Sequence, residues 1–164
     1  MCTLIEIVKK AINSFNEDER YLIENTLSER CICSRFALHI TNELIEQKYS
    51  GYVVDVEYNR NYRDIKHIDN NSGPITVDLV VHKRGNNPAY NLICIEMKKS
   101  SNKRGCADDE LRLCKMTDSH CGFNYKLGVM IVINMPRKNK KEQGLLRIES
   151  IVEKGIIEKA TPNM

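Results

Sequence analysis

The sequence contains no apolar run long enough to cross a bilayer. The longest run, around Leu127 to Ile133, is far shorter than the ~20 residues that a transmembrane helix needs. At the N-terminus the lysines follow the apolar residues, and no small-residue cleavage site comes after them, so a signal peptide is not expected. We therefore expect a cytoplasmic protein with no membrane partner.

Several common site signatures are also missing. There is no Gly-rich phosphate loop or dinucleotide fingerprint, and the four histidines show no nucleophile–base arrangement. Seven cysteines are present, but none forms a CxxC pair, so the group Cys106, Cys114, His120 and Cys121 lacks the spacing of a zinc site. An odd number of cysteines without a secretion signal is typical of reduced thiols in a cytoplasm.

The composition indicates one folded domain. The chain has 164 residues, of which 41% are hydrophobic and 29% charged, as is usual for a globular protein that buries a core. The net charge of +3 is too small to indicate nucleic-acid binding by itself. We expect a single domain over 1–164, with its core at about 28–134 and helical additions at both ends.

Hydrophobic spacing predicts the order of the elements. Apolar residues three and four apart predict helices at about 3–15, 28–48, 107–118 and 144–159. Alternation predicts strands at 52–58, 75–83 and 91–98, the last two joined by a turn at 84–88, and a nearly continuous apolar segment predicts a buried strand at 125–134. The resulting order predicts an α/β fold with a mixed sheet flanked by helices.

One group of charged residues stands out on the predicted strands. Glu96 and Lys98 are two apart in a strand and therefore project from the same face. Asp78 lies among apolar residues of the preceding strand, where an aspartate is costly unless it is paired or binds a metal. A hairpin turning at 84–88 places Asp78 roughly opposite Glu96. The sequence thus predicts that two carboxylates and an ammonium group converge.

Such a group fits the hydrolysis of a phosphodiester. Carboxylate oxygens suit Mg²⁺ or Mn²⁺, which polarise a phosphoryl oxygen and acidify a bound water. Lys98 would orient that water and stabilise the charge of the transition state. A structural salt bridge is the alternative explanation. The second Glu-x-Lys of the chain, Glu46 and Lys48, falls in a predicted helix, where residues two apart do not face each other.

The pattern resembles the signature of PD-(D/E)xK nucleases, the restriction-endonuclease-like superfamily. Val77-Asp78, followed after an interval by Glu96-Met97-Lys98, is similar to its (P)D…(D/E)xK motif, and the element order over about 28–134 is similar to its αβββαβ core. The narrower likeness is to small bacterial proteins of that superfamily. Val77 stands where the motif has proline, and the helix after Lys98 has no obvious additional catalytic glutamine.

The resemblance implies a Mg²⁺-dependent nuclease, with Mn²⁺ as a possible substitute, acting on DNA in restriction, repair or phage defence. It implies that Asp78 and Glu96 bind the metal, that Lys98 positions the water, and that Glu29, at the start of the preceding helix, is a further acidic member of the site. A helix-dipole partner is the alternative role for Glu29. Dimers or larger assemblies are common among such proteins. The rival function is an inactive nuclease-fold module that binds nucleic acid or protein.

Further residues are candidates for contact with nucleic acid. Arg60 and Arg63, together with Tyr58, place basic and aromatic side chains in one segment, which suits backbone contact or base stacking. Lys99, beside the motif, is a fourth candidate. The alternative for each is a solvated surface position. On the first predicted strand, Asp55 and Glu57 share a face that is either solvated or part of the site, and Val54, Val56 and Tyr58 share the other.

Overall fold

The computed structural model describes residues 2–61, 64–65, 76–85, 87–102, 105–136 and 145–160. Four α-helices lie within these ranges: α1 (Leu4–Asp18), α2 (Arg20–Glu24), α3 (Glu29–Glu46) and α4 (Cys106–Thr117). Helices α1 and α3 have side-chain N-caps, Thr3 and Ser28, which satisfy free N–H groups of the first turn. The described ranges contain no helix long and apolar enough to span a membrane.

The strands form one mixed sheet and a short hairpin. Their bounds are β1 (Val53–Tyr58), β2 (Arg60–Asn61), β3 (Asp64–Ile65), β4 (Val77–His82), β5 (Ile93–Lys99), β6 (Leu127–Asn134), β7 (Leu145–Glu153) and β8 (Ile156–Lys159). The main sheet has the order β1-β4-β5-β6-β7-β8, and β2 pairs with β3 in a separate two-stranded sheet. Strands β5 and β6 are parallel and the other neighbours in the sheet are antiparallel. The expected α/β class with a mixed sheet is therefore confirmed.

Each face of the main sheet is covered by helix. On the α1–α3 face, the inward residues of β5 and β6, such as Ile95 and Ile131, pack against both helices in the larger core. On the α4 face, Cys94 and Met130 pack with Leu113 and Met116 in a smaller core. This alternation confirms that Glu96 and Lys98 share the α4 face with Cys94, because residues two apart in a strand point the same way.

The predicted elements up to residue 134 are present with small shifts of their ends. The stripe predicted for helix α3 begins at Ile32 or Cys33 and continues through Phe36, Ile40 and Leu44, and all five residues are buried. The strand predicted at 75–83 runs from Val77 to His82, and Ile75 lies outside the described residues. The short helix α2 was not predicted.

The predicted alternation of β1 is wrong at its end. Val54 and Val56 pack in the larger core as expected, but Tyr58 packs in the smaller one. Between them, Glu57 has a φ of 52°, a left-handed conformation that interrupts the extended backbone on which strict alternation depends. The carboxylate of Glu57 accepts a hydrogen bond from Arg30 of α3, with 2.6 Å between Nε and Oε1.

The helix predicted at 144–159 is wrong, because this segment forms strands β7 and β8. A β-bulge interrupts the alternation of β7: Met130 pairs with Ser150 but Ile131 pairs with Ile148, which leaves Glu149 as an extra residue. Leu146, Ile148 and Ile151 therefore face one core at intervals of two and then three. The stripe that predicted the helix, Leu145, Ile148, Val152 and Ile156, is divided, because Val152 faces the other core and Ile156 is exposed. The C-terminal addition is thus a β-hairpin that extends the sheet.

The turn between β7 and β8 has a clear conformational cause. Lys154 and Gly155 both have positive φ, 51° and 76°, as a two-residue type I′ turn requires. Glu153 pairs with Ile156 directly across that turn. A glycine at the second central position favours this hairpin, whereas it would weaken the interior of a helix.

The apolar stripe predicted for helix α4 is Leu111 and Cys114, with Leu113 as a further candidate, and the structure buries only part of it. Leu111, expected in the apolar stripe, is 52% exposed, whereas Leu113 and Met116 are buried. The buried stripe continues to Asp109, four residues before Leu113. This orientation of α4 about its axis places the carboxylate of Asp109 over the sheet, next to the residues of the Asp…Glu-x-Lys motif.

Candidate active site on the α4 face of the sheet

Asp78 and Glu96 lie at the point where the β4–β5 ladder ends. The last pair of the ladder towards this edge is Leu79 with Ile95, so Asp78 and Glu96 occupy the next opposing positions. The side chain of Asp78 continues the link between the two strands, because its Oδ2 accepts a hydrogen bond from the Met97 N–H at 2.7 Å. The predicted convergence of these two carboxylates is thus found on adjacent strands.

Burial raises the pKa of both carboxyl groups. Desolvation, followed by repulsion from Asp78, raises the pKa of Glu96 to about 8, and the side chain is only 5% exposed. Desolvation also raises the pKa of Asp78, although hydrogen bonds with the Met97 N–H and with Glu96 oppose the rise. Two carboxyl groups that resist ionisation at one buried position favour the binding of an additional positive charge.

Lys98 projects from the same face and forms an ion pair with α4. Its Nζ donates a hydrogen bond to Oδ2 of Asp109 at 2.7 Å. This bond raises the pKa of Lys98, so the side chain is an ammonium group at neutral pH. An ammonium has three N–H donors, and Asp109 accepts from one of them. Lys98 is therefore suited to donate to a water or phosphate oxygen, and unsuited to accept a proton.

Arg112 links the two acidic side chains that face it. Its Nε donates to Oε1 of Glu96 at 2.7 Å, and its Nη2 donates to Oδ1 of Asp109. The result is a continuous hydrogen-bonded chain, Glu96–Arg112–Asp109–Lys98. Every link in it is a charge-assisted hydrogen bond, the stronger class of such bonds.

Glu29 approaches the same edge from the other face of the sheet. It is the first residue of α3, and its Oε1 accepts a hydrogen bond from the backbone N–H of Lys99 at 2.9 Å. Its charge acts on both Asp78 and Lys98, raising the pKa of each. The structure therefore brings Glu29 close to two of the other predicted site residues, Asp78 and Lys98, while its position in the first turn also suits the helix dipole.

The donors can be compared with what a divalent cation requires. Among the described residues, no three acidic, histidine or cysteine side chains are grouped as ligands of one ion. Mg²⁺ commonly uses only one or two carboxylates, with waters and substrate phosphate as its other ligands. Asp78 and Glu96 fit a hydrated cation of that kind, and they do not fit an ion enclosed by protein.

The charge balance of the edge also fits a cation. Arg112 and Lys98 are the cationic side chains in the hydrogen-bonded chain, and four carboxylates lie in or beside it: Glu29, Asp78, Glu96 and Asp109. The excess of acidic groups lies in a poorly solvated region, where the raised pKa values of Asp78 and Glu96 oppose their ionisation while no cation is bound. A divalent ion would offset that excess.

Asp109 and Arg112 were missed by sequence reasoning. The signal for Asp109 was its position four residues before Leu113 and seven before Met116, on the stripe that α4 buries. A carboxylate on a buried stripe needs a partner. Arg112, one turn further along, could be connected with Glu96 only once the packing of α4 on β5 was known.

The other candidate residues lie in different surroundings. Tyr58 packs edge-to-face on His82, with ring centroids 4.4 Å apart. The Nζ of Lys99 donates to the carbonyl of Thr26 at 3.4 Å, near Glu29. Arg60 begins strand β2, but its side chain is not among those described, and Arg63 lies outside the described residues. Contact of these four residues with nucleic acid stays a prediction.

Asp55 belongs to a separate polar cluster on the edge strand. It accepts hydrogen bonds from Arg84 and is hydrogen-bonded to His82 at 2.9 Å. Val80 and Cys94, both fully buried, continue its row across the sheet. Asp55 is therefore paired with local side chains. It is neither a solvated surface residue nor a member of the group formed by Asp78 and Glu96.

Comparison with known proteins adds no assignment. No protein-family model matches the chain, and neither a curated protein nor a solved structure shows significant similarity to it. The functional interpretation therefore depends on the geometry at the ends of β4 and β5.

Proposed function

We propose that this protein is a Mg²⁺-dependent nuclease that hydrolyses phosphodiester bonds in DNA, with a restriction-endonuclease-like core. The observation that carries the proposal is the adjacency of Asp78 and Glu96 at the end of the β4–β5 pair, with Lys98 on the same face of β5 as Glu96. Mn²⁺ is expected to replace Mg²⁺, because both take oxygen ligands.

Each side chain has a defined task in this proposal. Asp78 and Glu96 would hold the cation, which when bound polarises a phosphoryl oxygen and acidifies a water. Lys98, kept protonated and oriented by Asp109, would donate hydrogen bonds to the attacking water and to the phosphate oxygen that gains charge. One carboxylate oxygen of Glu29, Oε1, accepts the hydrogen bond from the Lys99 N–H. The other oxygen would accept hydrogen bonds from water molecules at the same edge.

A second candidate function is supported by a specific feature. Glu96 and Lys98 are both already paired with side chains of α4, so the charges of the site are largely satisfied within the protein. Such a closed network also suits a module that keeps this fold without cleaving and binds nucleic acid or protein. The two functions differ in whether a divalent cation binds and whether a phosphodiester is cut.

Cleavage of single-stranded, double-stranded and branched DNA, and of RNA, in Mg²⁺ or Mn²⁺ would test the proposal. We expect cleavage by the wild type, and a loss of at least about a hundredfold in Asp78→Ala and Lys98→Ala, the scale on which removal of a transition-state-stabilising donor acts. The chain offers a matched control in its second Glu-x-Lys: Lys48 is exposed near the C-terminus of α3, and Lys48→Ala should cleave normally.

Two results would contradict the proposal. Equal cleavage by the wild type, Asp78→Ala and Lys98→Ala would show that the observed activity does not come from this site. No cleavage of any substrate, together with no calorimetric heat of Mg²⁺ or Mn²⁺ binding, would favour the non-cleaving module.

A further inference from the structure

Arg112 is hydrogen-bonded to a carboxylate oxygen of Glu96, one of the two proposed metal ligands. Its Nε lies 2.7 Å from Oε1 of Glu96, and the Glu96 side chain is 5% exposed compared with 24% for Arg112. The guanidinium thus covers a nearly buried carboxylate from the more solvated side. No other ion pair with Glu96 occurs among the described residues.

The same oxygen cannot serve two cations equally well. A metal ion on Oε1 would meet the positive charge of Arg112 at short range in a poorly solvated region, where repulsion between like charges is large. Binding of a divalent cation through Glu96 therefore competes with the Glu96–Arg112 hydrogen bond. If the two are alternatives, the strength of that bond sets part of the affinity of the site.

Arg112 keeps a partner if it leaves Glu96. Asp109 lies three residues earlier on the same helix and already accepts a hydrogen bond from Nη2. This second contact depends only on α4, so it does not require Glu96. Release from Glu96 would then leave the guanidinium paired and partly solvated, while Asp109 continues to hold Lys98 through its other oxygen.

We propose that Arg112 is a resident counter-ion of Glu96 that a divalent cation displaces, so that Arg112 limits the metal affinity of the site. The proposal rests on the proposed function for the choice of Asp78 and Glu96 as metal ligands. It assigns to Arg112 a role different from that of a structural salt bridge. A structural bridge, once removed, would weaken the fold without improving metal binding.

Calorimetric titration with Mn²⁺ tests this role directly, in the wild type and in Arg112→Gln. We expect Arg112→Gln to bind Mn²⁺ about tenfold more tightly, the factor that corresponds to one lost charge-assisted hydrogen bond. Adding Glu96→Gln to that variant should abolish the gain. Arg147→Gln is the matched control, because Arg147 pairs with Glu149 on β7 at 3.0 Å, and its affinity should equal that of the wild type.

A second variant covers the case in which Arg112→Gln does not fold without metal. Arg112→Lys keeps the charge but cannot form the two-pronged contact with both carboxylates, so it should show a smaller gain in the same direction. Unchanged or weaker Mn²⁺ binding by the folded Arg112 variants would overturn the inference. Absence of Mn²⁺ binding in the wild type and in these variants would overturn it as well.

Cleavage assays on the same proteins separate this inference from the proposed function. If the wild type binds Mn²⁺ and cleaves DNA but the Arg112 variants bind no more tightly, only the inference fails. If the Arg112 variants bind more tightly through Glu96 but no variant cleaves any nucleic acid, the inference stands and the nuclease function fails.

Discussion

The buried carboxyl of Glu96 should make the stability of the metal-free protein depend on pH. Its pKa is raised from 4.5 to about 8, with desolvation as the largest cause and repulsion from Asp78 as the next. Between these two values the folded protein keeps the proton and the unfolded chain has lost it. The folded state therefore binds more protons, and the free energy of unfolding falls as the pH rises through this window.

The contribution of Glu96 to the slope follows from one proton, and the raised pKa of Asp78 adds a contribution of the same sign. The Glu96 contribution is about 1.4 kcal/mol for each pH unit, or about 5 kcal/mol across the whole window from 4.5 to about 8. A loss of that size is comparable with the total stability of many small domains, which begins at about 5 kcal/mol. The protein should thus be markedly less stable at the alkaline end of the window.

Urea unfolding at several pH values, in the presence of a chelator, measures this slope. Glu96→Gln cannot ionise at this position, so the variant should lose the part of the decline that Glu96 contributes. Glu110→Gln is the control: burial acts to raise the pKa of Glu110, but hydrogen bonds with Lys159 and Ser150 lower it below the same window. Its stability should then decline in parallel with the wild type. A wild type whose stability is flat or rises from 4.5 to 8, or a Glu96→Gln variant that keeps the full wild-type decline, would refute the reasoning.

Three further substitutions test how the fold supports the site. Asn16→Ala should lower the free energy of unfolding, measured in urea, by about 1–3 kcal/mol. The Asn16 side chain forms hydrogen bonds with both the N–H and the carbonyl of Leu146 and so connects α1 to β7. The control, Asn13→Ala on the exposed side of α1, should have little effect. Ser28→Ala should cost about 1 kcal/mol by removing the cap of α3, the helix that positions Glu29, and a thermal melt identical to that of the wild type would argue against this cap. Gly155→Ala should cost about 1–2 kcal/mol, since φ is 76° there, and an unchanged midpoint in urea would mean that the turn adopts another conformation.

The contrast between the two halves of the chain shows which patterns can be interpreted from sequence. Helix α3 and strand β5 follow uninterrupted periods of 3.6 and two, so their faces were predicted correctly. Strand β7 contains a bulge at Glu149, and this extra residue interrupts its period of two. The left-handed Glu57 similarly displaced Tyr58 from its predicted face. In both cases a single backbone conformation outweighed the apolar pattern.

The sequence by itself determined that Asp78 and Glu96 would lie opposite each other and that Lys98 would share a strand face with Glu96. Strand periodicity sets the direction of each side chain, and a hairpin with a short connection restricts the register of its strands. The tertiary structure alone decided the partners of those residues. Asp109 and Arg112 reach Lys98 and Glu96 because α4 packs on β5 with one particular rotation. That rotation depends on the fit of Leu113 and Met116 into the smaller core, a property of packing between distant segments that local spacing does not specify.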